Sequence, residues 1–208
     1  MSAPSESPIE APRTVRRIGS PAAGALADLA AIFDDLQTVL LACERLVAEL
    51  KTAQPDPVIV ESLWTTALLS YARCFAPGGR GMGLTEADVE ALELEGEVLA
   101  WHRMVRQLRK HYADPATNPR EAFEVGVALA DGVPSGVAIT STRQALPDSV
   151  SVHQTGAIAY ALTRVVDARI GEHQATVLEG ARALSTEELE TLDEVELTDA
   201  DGEGGMGG

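Results

Sequence analysis

Apolar residues recur first at a helical period, then at period two, then at a helical period again. Between Leu26 and Leu50, the residues Leu29, Phe33, Leu36, Leu40, Cys43, Val47 and Leu50 alternate steps of four and three, and Ile32, Val39 and Leu46 widen the stripe. That spacing predicts a well-buried helix. Asp56-Pro57 reads as the start of a second helix, with Asp as the cap and Pro at the first helical position, where its missing N–H costs nothing. Val60, Trp64, Ala67, Tyr71 and Cys74 form its inner face, and Pro77-Gly78-Gly79 ends it. Thr85, followed by Glu86 and Asp88, caps the next helix, which is either interrupted near Gly96 or short and followed by another. Leu94, Val98, Trp101, Val105, Leu108 and Tyr112 then mark a seam that must stop near Asp114, because Pro115 disfavours helical geometry at the residue before it.

After Glu121 the period changes. Phe123, Val125, Val127 and Leu129 alternate with smaller or polar residues, and Val137 and Ile139 repeat the pattern beyond D-G-V-P-S-G. A β-hairpin with a Gly-rich turn is expected over about residues 123–141. Such a hairpin is marginal by itself in water, so its apolar face is expected to rest on the helices. From Val150 to Leu184 the helical period returns through Ile158, Leu162, Val165, Val166, Ile170 and Val177, predicting a long closing helix. The fold class is therefore mainly α: a helical bundle with a small inserted β-hairpin. Three regions are expected, a disordered arm over 1–24, the helical domain over 25–184, and an acidic, glycine-ending disordered tail over 185–208.

Charge narrows the function. A formal charge of −16 argues against general attraction to nucleic acid or an anionic membrane. The tail carries nine acidic residues and no basic one. Cys43 and Cys74 sit on apolar helical faces and read as core filling. Neither C-x-x-C nor H-x-x-x-H occurs, His153 has no companion and His173 lies on a helical seam, so neither metal nor cofactor is expected. The glycine-rich stretch P-G-G-R-G-M-G, residues 77–83, lacks the G-K-[ST] ending and the preceding strand of a phosphate loop and reads as a helix connection. The chain lacks a signal-peptide pattern and an apolar run of about twenty residues, so a cytoplasmic protein with no membrane span is expected.

The basic residues gather on the helix that carries the Leu94–Tyr112 seam. His102, Arg106 and Arg109 recur at steps of four and three along one edge of its seam, with Arg103, Lys110 and His111 around the rest of the exposed surface. The segment from His102 to Glu121, H-R-M-V-R-Q-L-R-K-H-Y-A-D-P-A-T-N-P-R-E, resembles the helix ending H-x-x-L-R-x-x-R-N-K-H-x-A-H-x-x-N-x-x-E of bacterial HEPN-like helical proteins. His102, Arg106, Arg109, Lys110, His111, Ala113, Asn118 and Glu121 carry the likeness, which covers about twenty residues closely and about a hundred and fifty as an order of elements. Asp114 stands where the family has its terminal His, and the Asn after the second Arg is missing, which shortens the turn.

The resemblance implies a HEPN-like bundle and, in the family's ribonucleases, metal-independent RNA cleavage by an Arg and a His four to six residues apart in a homodimeric cleft. Histidine can exchange a proton near neutral pH and arginine can hold a phosphate through paired donors. On that pattern Arg106 and His111 are the catalytic candidates, His102, Arg109 and Lys110 are candidate RNA phosphate contacts, and Asp114, Asn118 and Glu121 support the motif. Asp114 departs from it, since a carboxylate is ionised at neutral pH and repels phosphate. On an unbroken helix Arg106 and His111 are also about 140° apart. The alternative is that Arg106 and Arg109 pair with acidic groups such as Glu121. Three functions follow in order. The first is a non-catalytic HEPN-like protein acting by self-association, as a homodimer, or with a protein partner; the second is a metal-independent endoribonuclease of the toxin or phage-defence kind. The third is a phage or prophage structural or assembly protein, suggested by a GC-rich, actinobacterial or phage coding bias of fourteen Arg to two Lys.

Overall fold

The computed structural model describes residues 14–76 and 81–195. The order of elements is β1 (Val15–Arg16), α1 (Pro21–Leu50), α2 (Pro57–Cys74), α3 (Glu86–Glu90), α4 (Val98–Ala113), β2 (Glu121–Ala130), β3 (Val133–Arg143), α5 (Ser149–Arg182), α6 (Thr186–Thr191) and β4 (Glu194–Val195). The protein is mainly helical.

The helices begin where side chains can satisfy their first N–H groups. Ser20 accepts from Ala23 N at 3.1 Å and Pro21 follows it; Asp56 accepts from Val58 N at 2.8 Å and Pro57 follows it. Asp148 caps α5 by accepting from Ser151 N at 2.7 Å. Thr85 and Asp88 cap each other's backbone in a reciprocal box at the start of α3. That helix is short, and Gly96, at φ 92°, turns the chain into α4.

Helix α1 packs against both α2 and α5 and forms the centre of the bundle. Its innermost residues are Leu29, Ile32, Leu36, Val39, Cys43 and Leu46, while Phe33, Leu40 and Val47 flank them, so the flank of the expected stripe is its true centre. Val60, Trp64, Ala67, Tyr71 and Cys74 face inward from α2, as their spacing requires. Val152, Ile158, Ala159, Leu162 and Val166 supply the α5 side. Beyond Ile170 no residue of α5 is fully buried, and His173 and Val177 are only partly covered. No helix among the described residues is long and apolar enough to cross a membrane.

Both chain ends contribute structure where an arm and a tail are expected. β1 pairs antiparallel with β4, Arg17 N donates to Asp193 O at 2.8 Å, and Arg16 reaches Leu192 O at 3.0 Å. α6 precedes β4, closed by a Ser185–Glu188 capping box. Two-residue strands paired across almost the whole chain leave no periodicity to read. Residues 1–13 and 196–208, where the rest of the arm and tail fall, lie outside the described residues.

The hairpin departs most from expectation. Its turn is two residues, Asp131 and Gly132, both at positive φ (52° and 80°), which is the geometry that matches strand twist in a tight hairpin. Val125 faces Ile139 and Val127 faces Val137; a bulge at Ala128/Leu129 absorbs Ser135, whose hydroxyl donates to Ala128 O. The alternation therefore puts Phe123, Val125, Val127, Leu129, Val137 and Ile139 on one face and Ala122, Gly126, Ala128, Gly136 and Ala138 on the other. The large face does not rest on the helices. Every residue from Ala122 to Arg143 is exposed, with Val125 at 71% and Ile139 at 70%. The bundle seams already close on one another, so the hairpin stands out as an arm.

Candidate functional site

Helix α4 carries the residues singled out by the family-like segment, and the fold disperses them. His102 is 0% exposed and lies in the core. The Tyr71 hydroxyl is hydrogen-bonded to its Nδ1 at 2.7 Å, and the Phe75 ring packs 4.4 Å away, centroid to centroid. Its Nε2 is buried with no hydrogen-bond partner. Burial, helped by the charge of Arg106, pushes its pKa down to about 4, so the imidazole is neutral at neutral pH. A phosphate contact through His102 is therefore corrected to a core role. The reason lies in the helix itself: Val98, His102 and Val105 follow steps of four and three, which places His102 inside the seam.

Arg103 is committed to Glu86, with contacts of 2.7 and 3.2 Å. That pairing holds the Glu86 carboxyl below its ordinary range. Arg106 is half-buried, with its guanidinium 5.7 Å from the centre of the Phe75 ring. Arg109, Lys110 and His111 are exposed on the last turns. Lys110 and His111 sit at the helix C-terminus, where cations are favoured. Because α4 continues unbroken to Ala113, Arg106 and His111 keep the roughly 140° separation of a regular helix. The two catalytic candidates do not converge within one chain.

The motif-supporting residues build the exit from α4. Asp114 accepts from Ala116 N at 2.9 Å, and Asn118 accepts from Arg120 N and Glu121 N at 2.9 and 3.3 Å. These side-chain turns steer the chain out of the helix and into β2. Glu121 does not pair with Arg106 or Arg109 as expected; it binds Arg143 across the hairpin at 3.2 Å. Arg120 pairs with Glu61 of α2. Both ion pairs border a cavity of about 770 Å³ at the hairpin base, floored by Trp64 and Tyr112 and edged by Val58 and Leu146.

The end of the glycine-rich connection has its own anion. Asp28 accepts from Gly81 N at 2.7 Å and Met82 N at 3.1 Å, so those amides are already occupied; residues 77–80 lie outside the described residues. Cys43 and Cys74 are buried, the Cys74 thiol donating to Ser70 O at 3.3 Å, and burial pushes the Cys43 thiol up to about 12, which keeps it an unreactive apolar filler. Among the described residues, no group of three or more His, Cys, Asp or Glu side chains could hold a metal ion.

No family model, curated protein or solved structure matches the chain. Two groups of residues escaped notice in the sequence. The first is Phe75 and the Tyr71 hydroxyl around His102: the spacing places Tyr71 on the inner face of α2 but does not pair it with His102. The second is the uncovered hairpin face with the cavity at its base, which the alternating pattern marks as apolar without saying what lies against it.

Proposed function

We propose that the protein is a HEPN-like helical protein that does not cut RNA and acts in the cytoplasm by association through its hairpin arm. The carrying observation is the arm's face of Phe123, Val125, Val127, Leu129, Val137 and Ile139, each more than half exposed. A two-stranded hairpin is marginal alone in water, and a contiguous apolar patch of several hundred Å² belongs to an interface. The α4 geometry supports the same reading. His102 is sequestered, Asp114 is used in a turn, and Arg106 and His111 point to different sides of one helix.

The test is an RNA cleavage assay with and without EDTA, run on the intact protein beside His111→Ala. Intact RNA throughout is expected. Metal-independent cleavage that His111→Ala abolishes would replace this reading with the ribonuclease one.

A further inference from the structure

We propose that the partner of the arm is a second copy of this chain, and that two arms pack antiparallel, face to face, with each tip seated in the cavity at the base of the other. The proposal rests on the reading of the arm as an association surface and deepens it. Three features support a second copy.

The first is area. Six large apolar side chains cover one face of the arm. At roughly 100 Å² each, two such faces bury on the order of 1,200 Å², the lower bound for a specific interface. The opposite face carries small side chains with Glu124, Thr140 and Thr142, and a large apolar side chain, Val133, only at its tip. The second is shape. Glu121 and Arg143 lie on the same face as Phe123 and Val125 and also border the 770 Å³ cavity, so the apolar face and the cavity meet across that ion pair. Strands of ten and eleven residues give the arm a reach of roughly 30 Å, which brings the tip of one copy, Leu129, to the base of another.

The third is charge, which selects the direction. Asp131 stands at the tip, and the exposed guanidinium groups of Arg120 and Arg143 stand at the base. The middle of the face carries no charge. An antiparallel pair keeps the two Asp131 carboxylates at opposite ends, each beside arginines already paired with Glu61 and Glu121, whereas a tip-to-tip pair sets Asp131 against Asp131. The antiparallel pair is also isologous and closed, since every contact is made twice about a two-fold axis and no apolar arm is left to recruit a third copy.

The experiment uses the full chain in sedimentation, with single-cysteine variants; Cys43 and Cys74 are buried and do not interfere. A dimer is expected. Val125→Cys, near the two-fold at mid-arm, should form an interchain disulfide under mild oxidation. Asp131→Cys should not cross-link with itself, but should cross-link when mixed with Arg143→Cys. Val125→Glu should give a monomer with an unchanged helical circular dichroism spectrum. A wild-type monomer at all accessible concentrations, a dimer that survives Val125→Glu, or cross-linking by Asp131→Cys alone would each overturn the proposal. These failures differ from failure of the broader reading, which is decided by RNA cleavage: a monomer that leaves RNA intact sinks the arm pairing and spares the reading.

Discussion

The bundle and the arm are made from the same kinds of residue and meet opposite fates. Leu36, Val39, Leu162 and Val166 are fully buried by other helices of their own chain, whereas Val125, Val127, Val137 and Ile139 are largely exposed among the described residues. Periodicity decides which face of an element is apolar; the supply of a second apolar face decides whether the chain can cover it. α1, α2, α4 and α5 exhaust one another's seams, and the hairpin is left over. This difference in covering is the observation on which the proposed association role of the arm rests.

The comparison breaks most sharply under truncation. Leu162→Ala removes a buried side chain from the centre of the core and should cost about 2–5 kcal/mol in urea unfolding. Val137→Ala in the arm, measured at concentrations low enough to hold single copies, should change stability by less than about 0.5 kcal/mol. Comparable losses at both positions would mean that the arm is covered by its own bundle.

Acid should separate the regions next. His102 is held neutral in the core, with its pKa lowered to about 4, below an ordinary value of about 6.5. The unfolded chain therefore binds the proton more readily. Stability is unaffected above about pH 6.5, falls as the pH drops towards 4, and levels off below that, with a loss on the order of 3 kcal/mol from this residue. His102→Gln should remove that component of the slope. A wild-type unfolding free energy that stays flat from pH 7 to pH 4 would contradict the placement of His102.

The partner of that histidine gives a smaller effect. Tyr71→Phe keeps the ring but deletes the hydroxyl that bonds Nδ1, leaving a second imidazole nitrogen unsatisfied, and should cost about 1–3 kcal/mol by thermal or urea denaturation. Smallest of all is Arg103→Ala. Its pair with Glu86 is exposed, so loss of the bridge should barely change stability and the change should shrink further in salt.

Much of this architecture was legible in the sequence. The Asp56-Pro57 start, the inner face of α2 and the alternation of Phe123 to Leu129 are local patterns, and local backbone chemistry enforces them. The hidden parts depend on distant partners. Nothing beside Asp28 announces that it will accept from Gly81 and Met82, and nothing in Val15 announces Val195. His102 lies between these cases: its spacing from Val98 and Val105 placed it in the seam, but the basic residues around it drew it towards the surface edge. At the candidate site, the likeness to a HEPN segment directed attention to the exit of α4, where Asp114 and Asn118 turn the chain. It was silent on the arm that begins three residues after Asn118.

The most direct test of the central claim is amide hydrogen exchange on the intact protein across a dilution series, comparing the bundle with the arm. The account predicts that α1 and α5 amides within the core exchange slowly at every concentration, while amides of β2 and β3 are protected at high concentration and lose that protection on dilution. Arm amides that exchange at the rate of an unfolded peptide at every concentration would contradict it, as would arm protection independent of concentration.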